Sequence, residues 1–336
     1  MLIVQFVIHI LPGMKQLLIF KIIIFTPKPY TTMRHISVFL LLLGLSACSA
    51  PTTQQDMTAE QAADFDWQGH RGARGLLPEN TIPAFLKALE FPQIKTLELD
   101  LAVSQDSLLV VSHEPWMSHH ICSHPDGQAV TEAEEEELLL FQMPYDKIKT
   151  YDCGSRGNER FPEQKPAPIH KPLLSEVVQA VDAYCAEHNR PKPRYNIEIK
   201  HDLSYDNIKA PRPLTFAKLV LEEIEALGIK MQTCVQSFDM RPLQELHKLD
   251  PTVTTALLID NPNGVQINLE ALGYTPDIYS PYYRMVTANV VDTVHDMGMK
   301  IIPWTVNDTT TMKALIGLGV DGIITDYPNK IGAVID

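Results

Sequence analysis

Short apolar runs alternate with amphipathic stretches along residues 66–326, and no other feature constrains the fold as tightly. The runs are "DWQGH" (66–70), "TLELDLAV" (96–103), "RYNIEIK" (194–200), "MQTCVQSF" (231–238), "TTALLI" (254–259), "DIYSP" (277–281), "KIIPWTV" (300–306) and "GIITD" (322–326). Between them lie helical patterns such as "ENTIPAFLKALE", "LLSEVVQAVDAYCAEH" and "LTFAKLVLEEIEALG", several closed by a glycine suited to a helix C-terminus. Eight strands with intervening helices predict an α/β chain folded as a (β/α)8 TIM barrel. A ninth apolar run, "SLLVVSH" (107–113), follows the turn signal "SQDS" and is expected to form a hairpin off the second strand.

The rhythm breaks between about 114 and 172, where "HEPWMSHHICSHPDG", the acidic "TEAEEEELLLFQ" and the proline-rich "FPEQKPAPIHKP" follow one another. This is an insertion after the second strand, and loops at the carboxyl ends of barrel strands stand over the active site. The barrel domain takes residues 65–336. Upstream, "MRHISVFLLLLGLSAC" (33–48) has a basic start, an apolar run short for a membrane span and a small-residue ending, the layout of a secretory signal. "LSAC" (45–48) resembles the lipobox of bacterial lipoproteins. That resemblance implies cleavage before Cys48, lipid on Cys48 and a periplasmic protein held on the bacterial membrane, the outer one favoured. Residues 1–32 fit this layout poorly, so Met33 is taken as the true start, and residues 49–64 read as a flexible tether.

Taking away residues 1–48 removes four bases (Lys15, Lys21, Lys28, Arg34) and no acid from 28 bases and 41 acids, leaving 24 against 41, a balance of −17. So acidic a chain excludes nucleic acid as a partner, and it makes local clusters of Arg, Lys and His informative. Oligomeric state is not encoded in any such feature. An exported protein can form disulfides, and Cys122 and Cys153, both in the insertion, are the expected pair. Cys185 and Cys234 fall in helical and strand patterns and read as buried thiols.

In such a barrel the site lies where strands end. The first run ends in His70-Arg71, and the hairpin ends in His113-Glu114. Glu98 and Asp100 are two apart on one strand, so both point the same way while Leu97, Leu99 and Leu101 point the other way. Glu198 and Lys200 repeat the spacing on the third run; Gln236, Trp304 and Asp326 stand near the ends of the fourth, seventh and eighth. Three carboxylates in one mouth repel, and one divalent cation resolves this, Mg²⁺ or Ca²⁺ for an all-oxygen set. Two histidines beside it suit general acid and base roles. Arg71, Lys200 and the cation would bind a phosphate, so the residues point to cleavage of a phosphate ester.

"HRGARGLLPENTIPAF", "LELDLAVSQDSLLVVSHE", "NIEIK", "VQSF", "PWTVN" and "GVDGIITDYP" together resemble the glycerophosphodiester phosphodiesterase family, in order and spacing, from about Trp67 to Pro328. The resemblance implies hydrolysis of glycerophosphodiesters to glycerol 3-phosphate and an alcohol. It implies His70 and His113 as the acid/base pair and Glu98, Asp100 and Glu198 as metal ligands. Arg71 and Lys200 become phosphate contacts and Gln236 a further contact. Glu79 and Asn80 fall in the motif after the first loop, Glu79 orienting Arg71 rather than reacting, and Trp304 becomes an apolar wall. Arg74 is expected to pair with a carboxylate. The chain departs from the family pattern at Glu114, where Asp is usual, and at Ser107, where Gly is usual. His119, His120, Cys122 and His124 are spaced as if for a second metal, against which stands a solvated loop with a disulfide. Two other functions compete: a phospholipase C- or D-like enzyme using "EELLLFQMPY" (136–145) as an interfacial ridge, and a surface protein that binds phosphodiesters without turnover.

Overall fold

The computed structural model describes residues 64–335, together with the two short segments Ile8–His9 and Ile19–Phe20. It divides into two compact units, Met1–Pro51 and Thr52–Asp336. In the first, Ile8–His9 and Ile19–Phe20 pair antiparallel. The expected signal, Cys48 and the tether lie outside the described residues.

In the second unit the strands are β1 (Asp66–Gly69), β2 (Ile94–Val103), β3 (Leu109–Val111), β4 (Arg194–Ile199), β5 (Thr233–Ser237), β6 (Thr254–Ile259), β7 (Ile278–Pro281), β8 (Lys300–Ile301) and β9 (Gly322–Thr325). All but β3 run parallel, in the order β8-β7-β6-β5-β4-β2-β1-β9, and β3 pairs antiparallel with β2 as the expected hairpin. Three backbone hydrogen bonds close the ring between the ends of that order: Asp321 N–H to Ile301 O, Ile324 N–H to Pro303 O and Val306 N–H to Ile324 O, each 3.0 Å. The eight parallel strands with their outer helices form a nearly closed TIM barrel. The seventh run differs from expectation. Only Lys300–Ile301 is strand, because Pro303 has no N–H to donate to a ladder.

Alternation sorts the side chains. Leu97, Leu99, Leu101, Ile197, Val235, Leu257 and Ile323 point outward into the core shared with the helices. Among these are α1 (Ile82–Leu89) and α3 (Leu174–Glu187), which follow β1 and the insertion. Thr81 caps α1 by accepting from the Ala84 N–H.

The insertion contains one short α-helix, α2 (Tyr145–Ile148), and two 3₁₀ turns (Glu132–Glu134 and Leu140–Gln142), and builds a small core around Met117, Leu140, Ile148 and the Cys122–Cys153 disulfide. Residues 136–145 form no surface ridge. Leu140, Met143 and Tyr145 are buried in that core, and Leu139 is buried too. Cys185 is buried, whereas Cys234 is only half-buried.

Candidate active site

Register brings the inward polar residues to one level. Asp100 lies opposite Glu198, Glu98 opposite Asn196, and Glu198 opposite Gln236. Oxygens of Glu98, Asp100 and Glu198 come within 4.8 Å of one another, and all three residues are buried. Burial, then the nearby negative Asp100, push the Glu98 carboxyl well above the usual carboxylate range. Burial also pushes Glu198 up to about 7, with Lys200 opposing. Asp100 goes the other way. Burial works against its ionised form, but Arg71, His113 and Lys200 outweigh it and hold the carboxyl well below the usual range. Asp100 Oδ1 is buried without a hydrogen-bond partner. An orphaned carboxylate oxygen beside two carboxyls of unfavourable charge is the environment that a divalent cation with oxygen ligands resolves, and these three residues could hold one.

The two imidazoles are each held by a carboxylate. His70 Nδ1 lies 2.6 Å from Asp326 Oδ1, and its Nε2 lies 3.9 Å from Glu98 Oε2. His113 Nδ1 lies 2.8 Å from Glu114 Oε1, so the acidic residue at 114 keeps a carboxylate on the ring. Burial is the largest influence on both rings; it lowers His70 to about 4, with Arg74 adding to the effect, and it lowers His113 as well.

Arg71 sits at φ +51°, a left-handed conformation uncommon outside glycine. That turn aims its backbone N–H at Glu98 Oε2 (2.9 Å), and its Nη1 donates to Glu79 Oε1 at 2.7 Å. Arg71 Nε lies 3.1 Å from Asp100 Oδ2, in ion-pair range though not aligned as a hydrogen bond. Burial would lower the Arg71 pKa, but Glu79 and Asp100 more than reverse this, so its charge is fixed. Gly72, at φ +82°, has no room for a side chain, since a Cβ would stand 2.5 Å from the Ala84 carbonyl carbon. Asn80 donates to Asp100 Oδ2 at 2.8 Å. Lys200 Nζ pairs with Glu198 Oε1 at 2.8 Å.

Gln236 is placed differently from a substrate contact. It is 1% exposed, accepts from Asn196 and donates to Glu98 Oε1 at 2.9 Å, so it orients that carboxylate. Trp304 is half-buried and packs edge-on to Phe238, with Tyr282 tilted against it. The second-metal spacing does not assemble a site. Cys122 is in the disulfide, His119 binds Glu135 and His124 binds Glu134; among the described residues only Glu98, Asp100 and Glu198 cluster as potential ligands.

Asp326 is the functional residue to which the sequence assigned no role. Besides His70 it binds Arg74 through Nε (2.8 Å) and Nη2 (3.1 Å), and Asn307 Nδ2 at 2.7 Å. Its signal was its place, the last residue of the eighth apolar run.

Comparison with known proteins extends the picture. The sequence pattern of the glycerophosphoryl diester phosphodiesterase family matches residues 70–330. A glycerophosphodiester phosphodiesterase of Bacillus altitudinis is 30% identical over 266 residues, 78% of this chain and 94% of the relative. A solved structure from Silicibacter pomeroyi DSS-3, described as a glycerophosphoryl diester phosphodiesterase, superposes with a TM-score of 0.72 at 28% identity, covering 81% of this chain and 93% of that one. The fold is shared with a phosphodiesterase of Oleispira antarctica solved with sn-glycerol 3-phosphate as product (TM-score 0.64, 22% identity, 82% and 99% covered).

Proposed function

The chain belongs to the glycerophosphoryl diester phosphodiesterase family, and on that premise we propose that it hydrolyses glycerophosphodiesters to glycerol 3-phosphate and an alcohol, with one divalent cation and His70 and His113 moving the protons. It is an enzyme, a phosphoric diester hydrolase. The observation that carries the mechanism is the gathering of three buried carboxylates in a mouth that also holds two carboxylate-bound imidazoles. Bound to Glu98, Asp100 and Glu198, a divalent cation supplies positive charge to the phosphate oxygens and to the charge they gain in the transition state.

Everything else falls to the chain. Arg71, held by Glu79, and Lys200, held by Glu198, present two fixed cations to the phosphate. The carboxylate of Asp326 can only accept, so the His70 proton sits on Nδ1 and Nε2 is left as the base. Burial keeps that ring neutral at pH 7. His113 is the more exposed ring, its side chain 30% accessible against 11% for His70, so it regains a proton from water and gives it to the leaving oxygen. Phe238 and Trp304 face the glycerol.

The test measures glycerol 3-phosphate release from glycerophosphocholine and glycerophosphoethanolamine by the full-length protein, with and without EDTA, beside His70→Ala and His113→Ala. Release that needs the cation and both imidazoles supports the mechanism. Release that survives EDTA removes the cation, and none from either compound removes the substrate class.

The proposal extends to location: a periplasmic enzyme on a lipid tether at Cys48, supported by "LSAC" (45–48). Cys48→Ser should release the protein from the membrane fraction and abolish its labelling by a fatty-acid probe.

A further inference from the structure

Lys171 ends the insertion, and no part of the mechanism above uses it. It is 6% exposed. Its backbone is fixed on both sides, because the next carbonyl, Pro172 O, accepts from Val111 N–H at 2.8 Å and its own carbonyl accepts from Tyr145 Oη at 3.3 Å. The ammonium makes one hydrogen bond, to Ser112 Oγ at 2.8 Å. Ser112 Oγ in turn donates to Glu114 O at 2.6 Å. Among the described residues no carboxylate oxygen lies within ion-pair range of Lys171, so its burial is not explained as half of a salt bridge.

A buried ammonium with a single neutral partner is costly, and a loop does not keep one without compensation. The compensation visible here is the field of the site. Lys171 lines a small cavity together with Glu79, Asn80, Ser112 and His113, and the carboxylates that act on its charge are Glu114, Glu79 and Asp100. The chain Lys171–Ser112–Glu114 therefore brackets His113 on the residue before it and the residue after it.

We propose that Lys171 is a positioning residue for the His113–Glu114 pair, through which the disulfide-bonded insertion sets the orientation of the acid. Lys171 touches neither substrate nor reacting atoms. It holds Ser112 Oγ in the rotamer that fixes the Glu114 carbonyl.

Because this rests on the acid role given to His113, the experiment carries His113→Ala alongside. Full-length Lys171→Met and Ser112→Ala are compared with the parent for kcat and KM, with melting and circular dichroism as checks on folding. The expected result is a fall in kcat of about tenfold or more in each, KM within about twofold, and a double variant no worse than the poorer single one, since both break one chain. An unchanged kcat in a folded Lys171→Met overturns the inference while leaving the function intact. If Lys171→Met does not fold, Ser112→Ala decides by the same measures. An active His113→Ala overturns the acid role and this inference with it.

Discussion

Inward positions on β1, β2, β4 and β5 carry Gln68, Glu98, Asp100, Asn196, Glu198 and Gln236, whereas those on β6, β7 and β9 and just past β8 carry Ala256, Ile278, Ile324 and Ile302. The first half is a chain of hydrogen bonds. Gln68 and Gln236 both accept from Asn196, and Gln236 donates on to Glu98. The second half is a small apolar cluster, and beside it the inward hydroxyl of Ser280 on β7 donates to Ile302 O at 2.6 Å. Burial stabilises the second half directly, at roughly 25 cal/mol per Å² of apolar surface. The first half gains little from burial, since every amide and carboxylate must find a partner to offset its lost water. A ring lets one half carry an unfavourable charge constellation while the other half and the outer core hold the geometry.

The largest test of that division is chemical. His70→Ala should lower kcat by on the order of 10²–10⁴-fold, as expected when a proton-transfer group is lost. Glycerol 3-phosphate release measures it. Thermal melting of the same variant should change little, and a collapse in stability would mean that the charged half also carries the fold.

Ile324→Ala reverses the prediction. The side chain is 1% exposed in the apolar half, so its truncation should cost about 2–5 kcal/mol in urea unfolding while the folded fraction keeps its kcat. A variant that is stable but slow would break the comparison.

The charged half should also be the pH-sensitive half. His70 is lowered from 6.5 to about 4, chiefly by burial. Asp326 is held below the usual carboxylate range, burial opposing but His70 and Arg74 prevailing. Both folded values lie below the unfolded ones, so the unfolded chain binds more protons as the pH falls. The His70 contribution is intact above pH 6.5 and is lost between pH 6.5 and 4, while Glu98 and Glu198, raised in the fold, contribute in the opposite direction over the same range. The Asp326 contribution is lost below about 3.9. Urea midpoints of the parent and of His70→Ala across that range isolate the His70 part, and parallel profiles between pH 6.5 and 4 would exclude a buried neutral His70.

The smallest effect lies at the hairpin tip, outside both halves. Ser107 has φ +62°. Ser107→Gly should raise stability by about 1 kcal/mol and leave kcat unchanged, since a glycine carries no Cβ penalty there. A change in kcat at this remove would show that the hairpin tip is coupled to His113.

Much of this was legible beforehand, and the reasons differ by residue. Glu98 and Asp100 declared themselves because strand alternation is strict, and His70 and His113 because they end apolar runs. Glu79 stands where it was expected to orient Arg71. Gln236 was misplaced because a residue near a strand end can support a carboxylate as easily as face the mouth, and only its partners distinguish the two. The buried core of the insertion was hidden because its apolar residues follow neither period, being gathered by a disulfide and irregular turns. The seventh strand was overextended because its apolar composition outweighed Pro303.

The amino-acid order by itself determined the barrel, the shared face of Glu98 and Asp100, and the gathering of acids and imidazoles at one end, since all of these follow from local period and strand direction. Tertiary structure alone decided that His70 meets Asp326 across 256 residues, and that Lys171 comes to lie beside Ser112. Ring closure makes the first and last strands neighbours, and a folded insertion returns its exit to its entrance. Neither contact has any signature in a window of sequence, because the distance it spans is removed only when the chain closes on itself.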